Sequence, residues 1–382
     1  MKKIPITRPY FGIEEEQAVL GSLRSGWVGQ GPKVAEFEEK FASYVGAKHA
    51  VAVSSCTTGL HLALELQGIG SGDEVICPSL SFIATANAIA YTGAQPVFAD
   101  IQKHTYNLDP ERIEQAITSR TRAILVVHQI GLPAFIDEIK AIADKHGLCV
   151  IEDAACALGA TYREVPIGSP HTTLAVFSFH PRKVLVTGEG GMVTTSNANV
   201  AERLRRLRGH AMSASSLARH GANVLDFETY EEIGYNYRMT DLQAALGIVQ
   251  LGRMDSFLAR RRTLASRYSE KLQAISWIQL PNEPHPCRHS FQSYQVRVKP
   301  EAPITRDALM AGLAEVGVST RRGVMAIHRE QPYRSLNWSP LLGETEAAAD
   351  QCLILPLYHQ MSEEDQNYVI KAIFDIAESK GS

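Results

Sequence analysis

Short apolar segments alternate with segments of helical periodicity through the first two thirds of the chain. Residues 50–53, 75–77, 123–127 and 149–151 are continuously apolar, and a helical stretch at 136–146 separates the last two of them. Strands that are apolar on both faces occur where helices cover both sides of a sheet. Strand–helix–strand alternation favours parallel pairing through right-handed crossovers. The sequence therefore predicts an α/β protein with a mostly parallel central sheet.

The last third of the chain has a different pattern. Residues 241–254 are typical of one helix, 257–275 of a long charged helix and 290–298 of an alternating strand. The length of 382 residues is enough for two or three domains of about 150 residues each. We therefore predict a large domain at 1–255 and a smaller C-terminal α/β domain at 256–382.

Composition and charge exclude several classes of protein. The chain has 38 basic and 41 acidic side chains, a balance that argues against a general nucleic-acid binder. No apolar run reaches the roughly 18 residues that a membrane-spanning helix needs, and no apolar signal segment follows Met1. The six cysteines form no CxxC pair and have no zinc-type spacing. We expect a cytoplasmic protein with free thiols, no metal site and no membrane contact.

The segment at 177–191 (Phe-Ser-Phe-His-Pro-Arg-Lys-Val-Leu-Val-Thr-Gly-Glu-Gly-Gly) is the strongest candidate for chemistry. A strand ends at Phe179 because Pro181 cannot continue it, and glycines close the loop that presents Lys183. Lysine is costly to bury unless the site uses it, and an enclosed lysine with a lowered pKa forms Schiff bases. The alternative is a surface lysine beside a glycine turn, which is the usual place for a loop lysine.

Two other polar segments follow strands, at the edge where sheets of this kind bind ligands. The apolar run 149–151 ends in Glu152 and Asp153. An acid in this place can face the pyridinium nitrogen of pyridoxal phosphate, although an aspartate also caps turns. The segment 53–60 (Val-Ser-Ser-Cys-Thr-Thr-Gly-Leu) passes from strand to helix through small hydroxyl residues. Free N–H groups at a helix start can bind phosphate, but Ser and Thr are also ordinary N-caps.

Together these segments resemble the pyridoxal-phosphate-dependent sugar aminotransferases, the DegT-like family within the aspartate aminotransferase fold. The resemblance runs through almost the whole chain, and the lysine-containing signature at 177–191 is its most specific part. The other matching motifs lie at 25–32, 72–75, 78–87, 96–100, 152–154, 234–239, 328–333 and 355–358. The resemblance implies a fold type I PLP-transferase with a smaller C-terminal domain, a pyridoxal 5′-phosphate cofactor and a homodimer with shared active sites.

The resemblance also implies roles for individual residues. Lys183 is expected to bind the cofactor aldehyde as a Schiff base and then to act as acid and base. Asp153 is expected to pair with the pyridine nitrogen, and Phe82 to stack over the ring unless it is a core residue. The cofactor phosphate is expected to contact three hydroxyl-bearing residues: Thr57, Thr58 and Ser178. Asn236 is expected to reach the phosphate bound by the neighbouring subunit.

Four further residues are candidates for contact with the substrate: His180, Arg238, His328 and Tyr333. Loop packing, a structural ion pair or a surface position is the alternative for each of them. Cys156 stands where the family commonly has Gln or His, which hydrogen-bonds the cofactor 3-hydroxyl. A thiol is a weak donor and acceptor, so this contact is weaker, made by water or supplied elsewhere. Cys56 replaces a small residue of the phosphate turn, where backbone atoms do the binding.

The activity that the resemblance implies is transfer of an amino group, usually from glutamate, to a keto group of a nucleotide-linked deoxy-sugar. One alternative is transfer to a ring without a nucleotide, such as an inosose. Another is a regulatory protein that keeps the cofactor pocket and turns nothing over. That alternative predicts loss of the lysine or the acid, and both Lys183 and Asp153 are present. Relatives that carry histidine in place of the lysine perform dehydration, which the lysine disfavours here.

Overall fold

The computed structural model describes residues 2–169, 172–213, 228–336 and 342–381. In these residues the strands are β1 (His49–Val53), β2 (Glu74–Pro78), β3 (Gln95–Ala99), β4 (Thr121–Val127), β5 (Cys149–Asp153), β6 (Thr161–Tyr162), β7 (Val165–Pro166), β8 (Leu174–Ser178), β9 (Gly191–Thr195), β10 (Ile278–Gln279), β11 (Cys287–Arg288), β12 (Tyr294–Val298), β13 (Arg321–Arg322) and β14 (Cys352–Leu355). The α-helices are α1 (Ile13–Ser25), α2 (Pro32–Val45), α3 (Cys56–Leu66), α4 (Ala84–Tyr91), α5 (Pro110–Ala116), α6 (Ile136–His146), α7 (Ala198–Leu207), α8 (Asp241–Gly252), α9 (Met254–Leu272), α10 (Arg306–Glu315), α11 (Gly343–Gln351) and α12 (Glu363–Gly381).

The largest sheet contains seven strands in the order β1-β9-β8-β5-β4-β2-β3. Strand β9 runs antiparallel to both of its neighbours, and the other neighbouring pairs are parallel. Strands β1, β8, β5, β4, β2 and β3 therefore all end at the same edge. The prediction of a mostly parallel sheet is confirmed, and the loops that follow these six strands meet at one place.

Helices cover both faces of this sheet, which explains the continuously apolar strands. Alternate strand residues belong to two different buried clusters: Ala52 and Ile124 lie in one, and Val51 and Leu125 in the other. In the first cluster, the rings of Phe41 and Phe177 pack edge to face with centroids 5.1 Å apart. Burial on both faces leaves polar side chains only at the strand ends, where they can serve a site.

A third apolar cluster lies in the C-terminal part of the chain, around a four-stranded sheet in the order β10-β12-β14-β13. Ile4 also packs in this cluster, and it pairs with Val318 in a β-bridge. The domain division predicted at residue 255 falls inside the first turn of α9 and remains a prediction. Among the described residues, no helix is both long and apolar enough to cross a bilayer.

A buried carboxylate links the starts of two helices. Asp241, the first residue of α8, accepts hydrogen bonds from the backbone N–H groups of Gly31 (2.8 Å), Lys33 (3.0 Å) and Val34 (3.0 Å). These groups begin α2 and have no partner inside the helix, so the carboxylate caps them. A Cβ at Gly31 would lie 2.4 Å from the Trp27 ring, which explains the glycine.

Candidate active site

A cavity of about 760 Å³ lies at the edge where the six strands end. Loops after β1, β2, β4, β5 and β8 form one side of it, and β13 with the residues that follow forms the other. Seven of the residues predicted from the sequence line this cavity: Thr57, Phe82, Asp153, Cys156, Ser178, His180 and Lys183. The fold therefore brings together groups that are up to 126 positions apart in the chain.

Lys183 reaches the cavity from a tightly closed loop. Its backbone N–H donates to the His180 carbonyl at 2.8 Å, and the Thr187 N–H donates to the Phe179 carbonyl at 2.9 Å. Gly190 then returns the chain to β9 at a φ of 154°, a conformation that favours glycine. The side chain of Lys183 is half-buried, and its Nζ donates a hydrogen bond to Cys156 Sγ at 3.1 Å. This is not the exposed side chain of a surface loop.

The pKa of the Lys183 amine is raised by its surroundings. Burial lowers this pKa, but Cys156, Cys56 and Asp153 raise it, and the net direction is upward. The expectation that an enclosed pocket lowers the pKa is therefore wrong here, because acidic and hydrogen-bonding neighbours outweigh the loss of solvation. The raised pKa favours the ammonium form, which must lose a proton before the amine can attack an aldehyde.

Asp153 is a buried carboxylate at the end of β5, and it is 6% exposed. It accepts hydrogen bonds from Thr85 Oγ1 at 2.9 Å, from the Ala155 N–H at 3.1 Å and from Cys56 Sγ at 3.9 Å. Burial raises the pKa of this carboxyl, and the Ala155 N–H, the Thr85 hydroxyl and Lys183 oppose that rise only in part. A carboxylate in such a place is stabilised by a cationic partner such as a protonated ring nitrogen.

The start of α3 forms a second polar point of the cavity. Its N-cap Ser55 accepts from the Thr58 N–H at 3.2 Å, and Thr58 Oγ1 accepts from the Ser55 N–H at 3.1 Å. Thr58 is thus occupied in a capping box, and its predicted contact with phosphate has no support from its position. Thr57 and Ser55 line the cavity. A Cβ on Gly191 would lie 2.7 Å from the Cys56 backbone nitrogen. Glycine at the first position of β9 therefore allows this strand to lie close to the start of α3.

Three other predicted residues also border the cavity. Phe82 is 70% exposed, so it is not the core phenylalanine that an isolated Phe usually is. Ser178 Oγ accepts a hydrogen bond from the His180 N–H at 3.4 Å. His180 Nδ1 accepts from the Arg182 N–H at 3.3 Å, and burial lowers the pKa of its imidazole.

The remaining predicted residues lie outside this cavity. His328 Nδ1 lies 2.7 Å from Ser79 Oγ, and Tyr333 is buried and donates to Asn87 Oδ1 at 2.6 Å. These contacts are those of packing residues, and they do not bring His328 or Tyr333 to the cavity. Asn236 forms a β-bridge with Gly209, and Arg238 Nη1 lies near the same glycine.

Sequence reasoning missed several residues that support or line the cavity. Thr85 binds Asp153 directly, as described above. His128 Nδ1 accepts from the Ala134 N–H at 3.0 Å, so its Nε2 carries the proton and donates to Glu152 at 2.8 Å. Five arginines also line the cavity, and we call three of them the guanidinium wall: Arg182, Arg321 and Arg322. Two adjacent arginines before a glycine were a signal that could have drawn attention to this wall.

Residues 9–374 match the sequence profile of the DegT/DnrJ/EryC1/StrS aminotransferase family. The chain belongs to this family. It is accordingly a pyridoxal-phosphate-dependent aminotransferase, and the resemblance and the fold class drawn from the sequence are confirmed.

Relatives of this DegT/DnrJ/EryC1/StrS aminotransferase cover nearly its whole length. It is 43% identical over 378 residues to the spore coat polysaccharide biosynthesis protein SpsC of Bacillus subtilis, covering 98% of this chain and 97% of that protein. The structure of the aminotransferase TlmJ from Streptoalloteichus hindustanus has a TM-score of 0.91 and 33% identity, covering 99% of this chain and 100% of that one. The putative sugar aminotransferase Spr1654 from Streptococcus pneumoniae, in its PLP form, has a TM-score of 0.91 and 28% identity, covering 99% of each chain.

The groups around the cavity fit pyridoxal 5′-phosphate. Lys183 offers an amine for its aldehyde, Asp153 a buried carboxylate for its ring nitrogen and Phe82 an aromatic face for its ring. The start of α3 offers N–H groups and hydroxyls for its phosphate. Among the described residues, no group of three or more His, Cys, Asp or Glu side chains is arranged to hold a metal ion.

Proposed function

We propose that this aminotransferase moves an amino group from glutamate to the keto carbon of a nucleotide-linked deoxy-sugar. The observation that carries the proposal is that one cavity contains the Lys183 amine, the Asp153 carboxylate and the start of α3. These groups come from three strand ends of a single sheet, so the backbone holds them in place before any ligand binds.

The proposed role of each residue follows from the position of its side chain. The bound cofactor supplies the electron sink that stabilises a carbanion. Lys183 would hold the cofactor through its amine, and once the amino donor takes that place its Nζ would accept and return a proton. Asp153 keeps the ring nitrogen protonated, and Phe82 covers one face of the ring. The N–H groups at the start of α3 bind the phosphate, with Thr57 and Ser178 as hydroxyl donors.

Two observations favour a nucleotide-linked sugar as the acceptor. SpsC takes part in polysaccharide biosynthesis, and Spr1654 is described as a putative sugar aminotransferase. The guanidinium wall also lines the cavity, with Arg321 and Arg322 on β13 and Arg182 on the loop after β8. The other two arginines of the cavity have acidic partners: Arg329 pairs with Asp350, and Arg306 pairs with Asp307. Within the part of the chain that the structure describes, the guanidinium wall has no such acidic partner. Arginine binds phosphate oxygens well, so the wall suits the diphosphate of a nucleotide sugar.

The acceptor class can be tested with glutamate and a panel of keto sugars and ring ketones. We expect amination of nucleotide-linked keto sugars with a kcat/KM about 10–100-fold above that of the same sugars without a nucleotide, as charge-assisted hydrogen bonds to the diphosphate would give. Mass spectrometry identifies the aminated product. Preferential amination of an inosose would instead establish the ring-substrate alternative.

The role of the guanidinium wall is tested by Arg321→Gln, with Arg122→Gln as a matched control. Arg122 is half-exposed on β4 and pairs with Asp73, away from the cavity. In Arg321→Gln the KM for the nucleotide-linked acceptor should rise about tenfold, whereas the half-reaction with glutamate should be unchanged. Impairment of the glutamate half-reaction alone would contradict the assignment of the wall to the diphosphate.

We further propose that the enzyme acts in the cytoplasm as a homodimer with shared active sites. Asn236 lies outside the cavity of its own chain, as a residue that serves the neighbouring cavity would. Large apolar side chains are also exposed, including Tyr91 (60%) and Ile233 (87%). One chain has a mass of 41.9 kDa, and light scattering of the purified protein should give twice that mass. A single-chain mass with full activity would exclude shared sites.

A further inference from the structure

The thiol of Cys156 contacts the amine that is central to the proposed function. Lys183 Nζ lies 3.1 Å from Cys156 Sγ, well within the range of a hydrogen bond to sulfur. The loop that carries the thiol is fixed on both sides: the Ala154 N–H donates to the Val176 carbonyl at 2.9 Å, and Ser290 Oγ donates to the Cys156 carbonyl at 3.2 Å. These hydrogen bonds fix the backbone from which the Cys156 side chain extends.

Cys56 and Asp153 also lie near the amine, but their hydrogen bonds go to other groups. Cys56 Sγ points to Asp153 Oδ1 (3.9 Å) and to the Val176 carbonyl (3.8 Å), so it does not compete for the amine. Asp153 is already bound by Thr85 and the Ala155 N–H. The titratable groups around Lys183 are, from the neighbouring elements, Cys56, Asp153 and Cys156, and from its own loop, His180, Arg182 and Glu189.

We propose that Cys156 is a positioning residue for Lys183: its sulfur accepts a hydrogen bond from Nζ, directs the amine into the cavity and stabilises its ammonium form. At this position the family commonly has Gln or His, which hydrogen-bonds the cofactor 3-hydroxyl. In this chain the residue at that position is Cys156, and it holds the Lys183 amine instead. This inference rests on the proposed function only in taking Lys183 as the residue that binds the aldehyde.

The contact between Cys156 and Lys183 should affect the rate at which the cofactor-free protein attaches its cofactor. Only the neutral amine attacks an aldehyde, so the rate of attachment should rise about tenfold per pH unit while the amine is mostly protonated. Burial lowers the pKa of Lys183, and the contact with Cys156 is among the influences that raise it. Loss of the sulfur should therefore enlarge the neutral fraction and speed attachment roughly three- to tenfold at neutral pH.

The experiment compares cofactor-free wild type with Cys156→Ala, Cys156→Ser and Cys149→Ala. Cys149 is the matched control because it lies on β5, four residues before Asp153, and does not line the cavity. Pyridoxal 5′-phosphate is added between about pH 6.5 and 9, samples are reduced with borohydride, and peptide mass spectrometry measures the fraction of Lys183 that is modified. Attachment in Cys156→Ala should be faster, with its pH curve displaced to lower pH. Cys156→Ser, which keeps an acceptor, and Cys149→Ala should follow the wild type.

Superimposed pH curves for wild type and Cys156→Ala, with modification still at Lys183, would overturn this inference and leave the proposed function standing. Absence of modification at Lys183 in the wild type would instead overturn the proposed function. Circular dichroism checks that each variant is folded. If Cys156→Ala is not folded, Cys156→Val, which lacks the sulfur and has a similar volume, decides the outcome.

Discussion

The Lys183→Ala variant will fold normally and will lose amino transfer. Removal of the general acid and base alone costs about 10²–10⁴-fold in rate, and the covalent attachment of the cofactor is lost as well. The half-buried amine has one hydrogen bond, to Cys156, so the free energy of unfolding should change by no more than about 1 kcal/mol. Steady-state turnover, the yellow colour of the lysine-bound cofactor and a thermal melt measure these three effects.

Lys145→Ala is the matched control for this variant. Lys145 is an exposed residue of α6 that pairs with Glu114 at the surface, so its loss should leave the rate and the colour unchanged. Amino transfer at the wild-type rate in Lys183→Ala would refute the assignment of Lys183 to the chemistry.

The Asp153→Asn variant will bind the cofactor more weakly and turn over more slowly. An amide cannot offer the negative charge that keeps the ring nitrogen protonated. A hydrogen bond to a charged group contributes about 1.5–3 kcal/mol, which corresponds to a loss of about 10–100-fold in cofactor affinity. Titration of the cofactor-free protein with pyridoxal 5′-phosphate, followed by absorbance, gives the dissociation constant. The decrease in kcat is measured at saturating cofactor.

Asp137→Asn provides the control, since Asp137 is about half-exposed on α6 and pairs with Arg163. Its cofactor affinity should equal that of the wild type. Wild-type affinity and kcat in Asp153→Asn would mean that the buried carboxyl serves the fold and not the cofactor.

The sequence predicted most accurately the elements whose boundaries are set by local signals. Helix α6 begins and ends at the predicted residues, 136 and 146, and Gly147 ends it in the left-handed conformation at a φ of 65°. Lys183 and Asp153 were predicted because each follows a strand of one parallel sheet, and such strands end at a common edge.

Elements that depend on distant contacts were predicted less well. Residues 241–254 were expected to form one helix, but α8 ends at Gly252 and α9 begins at Met254. Arg253 lies between them with a φ of −99°, pairs with Glu15 and packs over the Tyr10 ring. Arg253 thus contacts residues more than 230 positions away, which no local pattern reports.

The same limitation applies to the strand expected at 290–298 and to the electrostatics of the site. Strand β12 begins only at Tyr294, because the Ser290 N–H donates to the Gly131 carbonyl at 2.9 Å.

The direction of the Lys183 pKa was mispredicted because it depends on side chains that only the fold brings near, from the start of α3 and the loop after β5. The identity of the residue does not predict how burial and neighbouring side chains together shift its pKa.

The opposed sides of the cavity belong to different sheets. Lys183, Asp153 and the start of α3 extend from neighbouring strands of the seven-stranded sheet, whereas Arg321 and Arg322 form an edge strand of the four-stranded one. In the proposed function, the reacting groups and these two acceptor-binding arginines therefore belong to separate sheets. Under the proposed function, a change in the short edge strand β13 would alter acceptor binding while Lys183 and Asp153 stay in place.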